Sequence, residues 1–377
     1  MKAVGIICEY NPFHNGHLYH LKQVKKMCKD YTVILVMSSS FLQRGEVSMI
    51  NKWDKTKIAL DLGIDLVIEL PFCFSTQSAD IFAKGAITIL NHLKVDKLIF
   101  GSELNDIDLL NKLATYQLTD QYNKKVKQNL KEGINYPKAL AKALKETNNI
   151  EINTPNDILG ISYIKEIKKL NSKITPLTIK RTNDYHSEKL NGKITSAKSI
   201  RLALKNKQDI KNYVPKITTK YLTKPIFIDD YFNLLKYKIL SEDHLEKYLT
   251  VDEGIENRLK KFIVNSNSIS ELINNVKTKR YTYNKISRML VHILCNFTKE
   301  EALKYTKINY IRPLGFNSLG QKYLNQVKKE IEIPIITKYN KLLDLELRIT
   351  SVYASILDEK DKQKLIKDEY QKKPIIK

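Results

Sequence analysis

The chain is predicted to be α/β, a doubly wound parallel sheet followed by a mostly helical second part, and three observations lead there. Five short apolar runs, Ala3–Cys8, Thr32–Ser38, Asp65–Leu70, Lys97–Phe100 and Pro176–Lys180, read as buried strands. Segments with helical spacing lie between them: Leu18, Leu21, Val24 and Met27 after the first strand, and Ile81, Ala86, Ile89, Leu90 and Leu93 before the fourth. After about residue 200 the strand pattern fades, and Tyr231–Tyr248 and Ser287–Tyr305 carry apolar residues three and four apart. Strand alternating with helix implies right-handed parallel crossovers, with ligands held outside the carboxyl ends of the strands. The loops after strands one, four and five are therefore expected to converge on a site. The division between the two parts is expected in the charged stretch Lys205–Lys216, giving units 1–205 and 206–377.

With 377 residues and 42% apolar content, the chain is long enough for two domains and too apolar for disorder. The longest apolar candidate, Ile58–Phe74, is cut by Asp61, Asp65 and Glu69, so no membrane span is expected. The apolar stretch before Glu9 is too short for a secretion signal. Cys8, Cys28, Cys73 and Cys295 show neither paired spacing nor C-x-x-C, which excludes a zinc finger or a disulfide framework and fits a cytoplasmic protein. Net charge is +23, with 29 basic and 20 acidic residues in 1–200 against 35 and 21 in 201–377. Such a surplus favours a polyanionic partner, nucleic acid first, although a Lys-rich composition alone also produces it.

The densest chemistry lies directly after the first strand. Glu9-Tyr10-Asn11-Pro12-Phe13-His14-Asn15-Gly16-His17-Leu18-Tyr19-His20 places three of the seven histidines within seven residues where the first helix opens. A strand-to-helix turn presents unpaired N–H groups and the positive end of the helix dipole, a natural phosphate seat. Gly16 lets the backbone approach a ligand, and His14 and His17 are suited to donate to phosphate oxygens. Later, Ile194-Thr195-Ser196-Ala197-Lys198-Ser199-Ile200-Arg201 offers Ser199 as a helix cap able to bond a phosphate, and Arg201 as a planar, permanently charged partner for phosphate oxygens. Gly101 at the end of the fourth strand, Asn156 at a helix start behind Pro155, and Arg181 closing the fifth strand complete the set.

The His-x-Gly-His spacing with the later Ser-x-Ile-Arg resembles the HIGH-type nucleotidyltransferase superfamily, whose sheet is Rossmann-like. Gly5–His20, Gln43–Glu46, Asn51–Trp53, Asp65–Pro71, Phe100–Glu103, Tyr136–Ala139, Pro155-Asn156 and Lys277–Thr282 together resemble the bacterial tRNA(Met) cytidine acetate ligase family. That resemblance implies an ATP-dependent ligase that forms acetyl-adenylate and pyrophosphate from acetate and ATP. It then acetylates the exocyclic amine of the wobble cytidine in elongator tRNA(Met). It places ATP binding on Ile7, Cys8 and the residues through His20, and on Gly101, Asn156 and Arg181. His14, His17, Ser199 and Arg201 are expected to be catalytic. Mg²⁺ is expected to arrive with ATP, the sequence naming no protein ligands for it, and no stable protein partner is implied. Two departures stand out: Ser39-Ser40 where the family carries Gly-Asn, and Lys55 where an arginine is common, which weakens bidentate binding there.

A second basic stretch interleaves Lys277, Lys279, Arg280, Lys285 and Arg288 with Tyr281 and Tyr283. Cations for phosphates and rings for bases suit a tRNA stem and loop, while an ordinary solvated helix start is the plainer alternative. His92, His244 and His292 read as structural or surface residues, and Trp53 as packing. Two other functions remain open to the residues alone: a small-cofactor adenylyltransferase, and a non-catalytic RNA-binding protein on an inherited nucleotide fold.

Overall fold

Ala3, Val4, Gly5 and Ile6 are buried on both sides of the first strand, because helices cover both faces of the sheet. That double burial is why the run is continuously apolar rather than alternating. The computed structural model describes residues 1–148, 150, 152, 154–181 and 194–377. The first part alternates β1 (Lys2–Cys8), α1 (Asn15–Met27), β2 (Tyr31–Ser38), α2 (Lys52–Asp61), β3 (Leu66–Leu70), α3 (Phe72–Ser75), α4 (Ala79–His92) and β4 (Lys97–Ser102). Helices α5 (Ile107–Gln117), α6 (Asp120–Lys131), α7 (Tyr136–Asn148) and α8 (Pro155–Lys169) follow, then β5 (Thr175–Lys180) and α9 (Ala197–Lys205). The remainder holds α10 (Lys216–Tyr221), α11 (Phe232–Ser241), α12 (Ile255–Ile263), α13 (Ile269–Val276), α14 (Tyr283–Leu294) and α15 (Lys299–Lys304). It closes with β6 (Pro313–Phe316), α16 (Ser318–Val327), α17 (Asp344–Ala354), α18 (Glu359–Gln371) and β7 (Ile375–Ile376).

The strand order is β5-β4-β1-β2-β3-β6-β7, with β1 to β5 all parallel. The chain begins in the middle of the sheet, runs outward through β2 and β3, then returns to the other side of β1 for β4 and β5. The order therefore reverses between β1 and β4, and the crevice outside their carboxyl ends is where such a sheet binds ligands. The five expected strands are all present. Two more were not expected: β6 pairs antiparallel with β3, and β7 parallel with β6, so residues well past 205 complete the sheet.

Residues after 205 thus do two things. Helices α11 to α14 surround an apolar core of their own, with Leu259, Leu272, Ile273, Met289 and Ile293 fully buried. Helices α16 and α17 instead pack back onto the first part, where the Tyr323 hydroxyl donates to the Leu93 carbonyl at 2.7 Å and the Tyr353 hydroxyl to that of Ser48 at 2.9 Å.

That return is anchored by buried charge. Lys52 Nζ donates to Glu69 Oε1 and Glu369 Oε1 at 2.8 Å each, and Arg312 bonds both carboxylates from the other side. Each charge meets an opposite one, as burial at this depth requires. Beside them, Glu346 on α17 accepts from the Phe72 N–H at 2.7 Å, while its Oε2 is buried without a hydrogen-bond partner. Burial, with Glu69 nearby, pushes the Glu346 carboxyl up from 4.5 to about 8. The folded protein therefore holds a proton there that the unfolded chain releases near 4.5, and this contribution to stability is lost as pH rises through about 8. Glu346→Gln is expected to flatten the fall in unfolding free energy between those values, by up to about 1.4 kcal/mol per pH unit, as measured by urea unfolding across pH. An unchanged slope would place the titration elsewhere.

Candidate active site

Helix α1 opens at the crevice, and its cap is made by histidines rather than by Ser or Asp. His14 is the N-cap, with Nδ1 accepting from the Gly16 N–H at 3.0 Å, while His17 Nδ1 accepts from the His14 N–H at 3.3 Å. Each ring thus satisfies an N–H that a helix start leaves open. The two imidazoles stack with centroids 3.8 Å apart, and Tyr10 and Phe13 set their edges against His17. A Cβ on residue 16 would sit 2.8 Å from the His14 ring, so glycine is required there for the ring to fold over the helix start. With Nδ1 accepting, the hydrogen of the neutral His14 ring sits on Nε2, which remains a donor, while the His17 ring also bonds the Pro12 carbonyl.

The rest of the loop is held rigidly. Buried Asn11 donates to the Val47 carbonyl at 3.0 Å and accepts from the Met49 N–H at 2.8 Å. Asn15 ties α1 to the segment before α10, its N–H reaching the Tyr213 carbonyl and its amide that of Asn212, both at 2.9 Å. Pro12 is buried, whereas Ile7, Leu18 and Tyr19 are partly buried against the main core. Burial raises the Cys8 thiol to about 12, so it is not a thiolate near neutral pH.

The loops after β1, β4 and β5 do meet. Arg181, closing β5, lies over Gly101, its Cγ 3.3 Å from where a side chain would begin. Its Nε is 3.4 Å from Glu103 Oε1, the same oxygen that accepts from the Asn156 amide. Burial drives His14 down to about 3 and His20 to about 4, and His17 well below its usual value. The Arg181 charge adds to all three, and that of Arg201 to His14. The imidazoles are thus neutral near pH 7, and the permanent positive charge belongs to the arginines. Arg181 Nε, His20 Nε2 and Glu103 Oε2 are buried without hydrogen-bond partners, a set that fits a polar ligand with both phosphate and hydroxyl groups.

Arg201 on α9 spans the crevice from the other side. Its Nη1 donates to the Asn11 carbonyl at 2.9 Å and its Nη2 to Glu46, 2.7 Å from Oε2. Ser199 does not cap α9: Ser196 does, accepting from the Ser199 N–H at 3.0 Å, and the two hydroxyls lie 2.8 Å apart. Ser199 is buried within the first turn of the helix, its hydroxyl beside that of Ser196. The serine further upstream wins the cap because it has the extended backbone that the position needs.

Several residues at the rim were not singled out from sequence. Glu46 holds Arg201 and Glu103 holds Asn156 and Arg181, while half-buried Glu9, within the expected ATP-binding run, accepts from the Gln43 N–H at 2.7 Å. Lys55 is buried with its ammonium on the carbonyls of Ser38, Ser39 and Glu9 at 2.7, 3.0 and 3.1 Å. Those three acceptors suit the three donors of an ammonium, so the lysine here ties the ends of β1 and β2 together rather than forming a weakened fork. Burial brings it down to about 7. Among the described residues no three His, Cys, Asp or Glu side chains gather as a metal site.

The basic stretch divides. Lys277, Lys279, Arg280 and Tyr283 are exposed, and Lys285 lies 3.9 Å from the centre of the Tyr281 ring. Tyr281 itself is buried, its hydroxyl donating to the Asp252 carbonyl at 2.6 Å, so its ring packs the helical core and is not a free stacking surface. Arg288 turns toward the crevice, donating to the Gln43 carbonyl at 3.1 Å, beside Ser287 Oγ on the Gly45 carbonyl at 2.9 Å. Gly45, at φ +75°, is packed so tightly on the α14 backbone that a side chain would overlap it. His292, fully buried, has its ring nitrogens 3.1 and 3.0 Å from the Leu249 and Thr76 carbonyls, a structural role. Trp53 is likewise buried packing.

The HIGH Nucleotidyl Transferase family matches residues 1–369 of the chain. The tRNA(Met) cytidine acetate ligase of Geobacillus sp. (strain WCH70) is 42% identical, covering all of both chains. That of Caldicellulosiruptor saccharolyticus is also 42% identical, over all of this chain and 98% of its own. Thermotoga maritima TmcAL, solved apo, superposes with a TM-score of 0.92 at 31% identity over 100% of this chain and 99% of its own. The same protein bound with alpha-thio ATP gives 0.90 at 30% identity over all of both chains. The chain belongs to the HIGH nucleotidyl transferase family, and within it to the tRNA(Met) cytidine acetate ligases.

Proposed function

We propose that the protein joins acetate to the wobble cytidine of elongator tRNA(Met) at the expense of ATP, and that the histidine-capped start of α1 is the phosphate seat. The observation that carries this reading is the convergence of His14 and His17 with Arg181 and Arg201 around one helix N-terminus. The family relationship supports the same reaction.

In the first step an acetate oxygen attacks the α-phosphorus of ATP and pyrophosphate leaves, giving acetyl-adenylate. Negative charge shifts onto the departing phosphates, and groups aimed at that charge act by electrostatics and positioning. The Nε2 donor of His14 serves the phosphoryl oxygens with the His17 ring stacked against it, and the α1 N-terminus adds its dipole. Arg201 is the partner of the leaving pyrophosphate and Arg181 the cation whose charge acts on all three histidines. Asn156 and Gly101 flank the nucleoside, and Glu103 orients Asn156 and Arg181. Mg²⁺ enters on the triphosphate. In the second step the cytidine N4 amine attacks the acetyl carbonyl, AMP leaves, and the nitrogen gives up a proton. A base within a stack cannot present that amine, so the cytosine must unstack into the crevice. The exposed Lys277, Lys279, Arg280 and Tyr283, together with Lys285 and Arg288, hold the surrounding stem and loop.

Acetate-dependent exchange of pyrophosphate into ATP tests the first step. His14→Asn retains an oxygen to cap α1 but removes the imidazole, and is expected to slow exchange about 10²–10³-fold with folding preserved. Exchange at the wild-type rate would remove the histidine from the reaction. Lys279→Ala with Arg280→Ala is expected to weaken tRNA binding and lower the slope of log K against log salt by roughly two. An unchanged slope would place the contacts on other residues.

A further inference from the structure

The crossover between β4 and α8 is longer than a sheet of this kind needs, and the excess lies between Gly101 and Asn156. It contains the hairpin of α6 and α7, whose buried side is apolar: Tyr122, Val126, Ala139, Ala143 and Leu144. The Tyr122 hydroxyl donates to the Leu140 carbonyl at 3.1 Å and joins the two helices. The outer side is basic. Residues 120–146 hold seven lysines against three acidic residues. Lys125 and Lys142 are matched by Glu146 and Glu132 at 3.2 and 2.5 Å, while Lys124, Lys127, Lys131 and Lys138 are exposed. Lys124, Lys127 and Lys131 recur at three- and four-residue spacing, along one face and over about 10 Å of helix.

The hairpin tip does not hang free. The amide of Asn135, itself only 9% exposed, donates to the Lys279 carbonyl at 3.0 Å. The Arg280 guanidinium lies 3.8 Å from where a Gly133 side chain would begin. The tip is thus seated on the exposed basic turn before α14, whose helix in turn touches the crevice through Arg288. The hairpin tip, flanked in sequence by exposed Lys131 and Lys138, thus adjoins the turn that carries exposed Lys277, Lys279 and Arg280.

We propose that the α6–α7 hairpin is a second RNA-binding element, gripping the phosphodiester backbone of the tRNA outside the anticodon stem and loop. The inference rests on the reading that this chain acts on tRNA. Ammonium groups spaced along a helix face neutralise phosphates without reading sequence, which suits the body of the tRNA rather than its modified base. The hairpin's continuity with the Lys279–Arg280 turn sets the direction in which the RNA leaves the site.

The test uses the full chain with Lys124→Ala, Lys127→Ala, Lys131→Ala and Lys138→Ala combined, and fluorescence anisotropy across a salt series. Two RNA probes are compared: full-length tRNA(Met) transcript and its isolated anticodon stem and loop. The expected result is at least a tenfold loss of affinity for full-length tRNA, a salt slope lower by roughly three to four, and unchanged affinity for the stem and loop. Acetate-dependent pyrophosphate exchange, which involves no RNA, reports on folding of the same sample. Full-length tRNA bound with wild-type affinity and slope would overturn the hairpin's role while leaving the proposed reaction intact. Equal loss for both probes would overturn it too, because the lysines would then serve the anticodon arm. A wild-type protein that binds neither probe would overturn the hairpin's role and the tRNA reading together.

Discussion

Everything at the crevice depends on how α1 begins. A helix start leaves backbone N–H groups open, and here two of the nearby N–H groups are taken by the Nδ1 atoms of His14 and His17. That choice consumes one nitrogen of each ring in structure, leaving His14 Nε2 for a ligand while His17 also bonds the Pro12 carbonyl. It also couples fold to chemistry, because the bond that caps the helix sets which nitrogen carries the hydrogen. The arginines then divide the labour. Burial and the charges of Arg181 and Arg201 keep the imidazoles neutral, so they donate without repelling the guanidinium groups beside them.

The loop Gln43–Glu46 is the mechanical link between this site and the helical core. On one side Glu9 accepts from Gln43 and Glu46 holds Arg201. On the other, Arg288 and Ser287 of α14 hold the carbonyls of Gln43 and Gly45. The RNA contacts proposed on the α14 side and the phosphate contacts proposed on the α1 side would therefore share a segment of four residues. The buried cluster of Lys52, Glu69, Arg312 and Glu369 performs a similar service farther along the sheet, fastening α18 and the segment before β6 to β3.

Much of this is legible in the sequence, for reasons that differ by element. Five strands are recognisable because double burial makes them continuously apolar, and the histidine loop because three imidazoles in seven residues are rare outside a site. Strands β6 and β7 are not recognisable: Pro313-Leu-Gly-Phe316 has too few apolar residues and two strand-breaking ones, and its place comes from pairing with a distant β3. Ser199 and Ser196 compete for one cap, and only the backbone angles decide it. Tyr281 and Arg288 lie in one basic run, yet one faces the core and the other the crevice, a distinction that spacing of cations and rings does not carry. Glu46 and Glu103 end stretches that carry the family resemblance, yet their roles are not legible there, since their meaning lies in the arginines they hold, 155 residues away for Glu46.

The most direct measurement of the central claim is the tautomer and titration of His14, read from long-range ¹H–¹⁵N correlation spectra of the folded protein. The account predicts an unprotonated Nδ1 and a hydrogen on Nε2 at neutral pH, with no titration down to about pH 5, since burial and the arginines carry this ring to about 3. A hydrogen on Nδ1, or a midpoint at the ordinary 6.5, would contradict it.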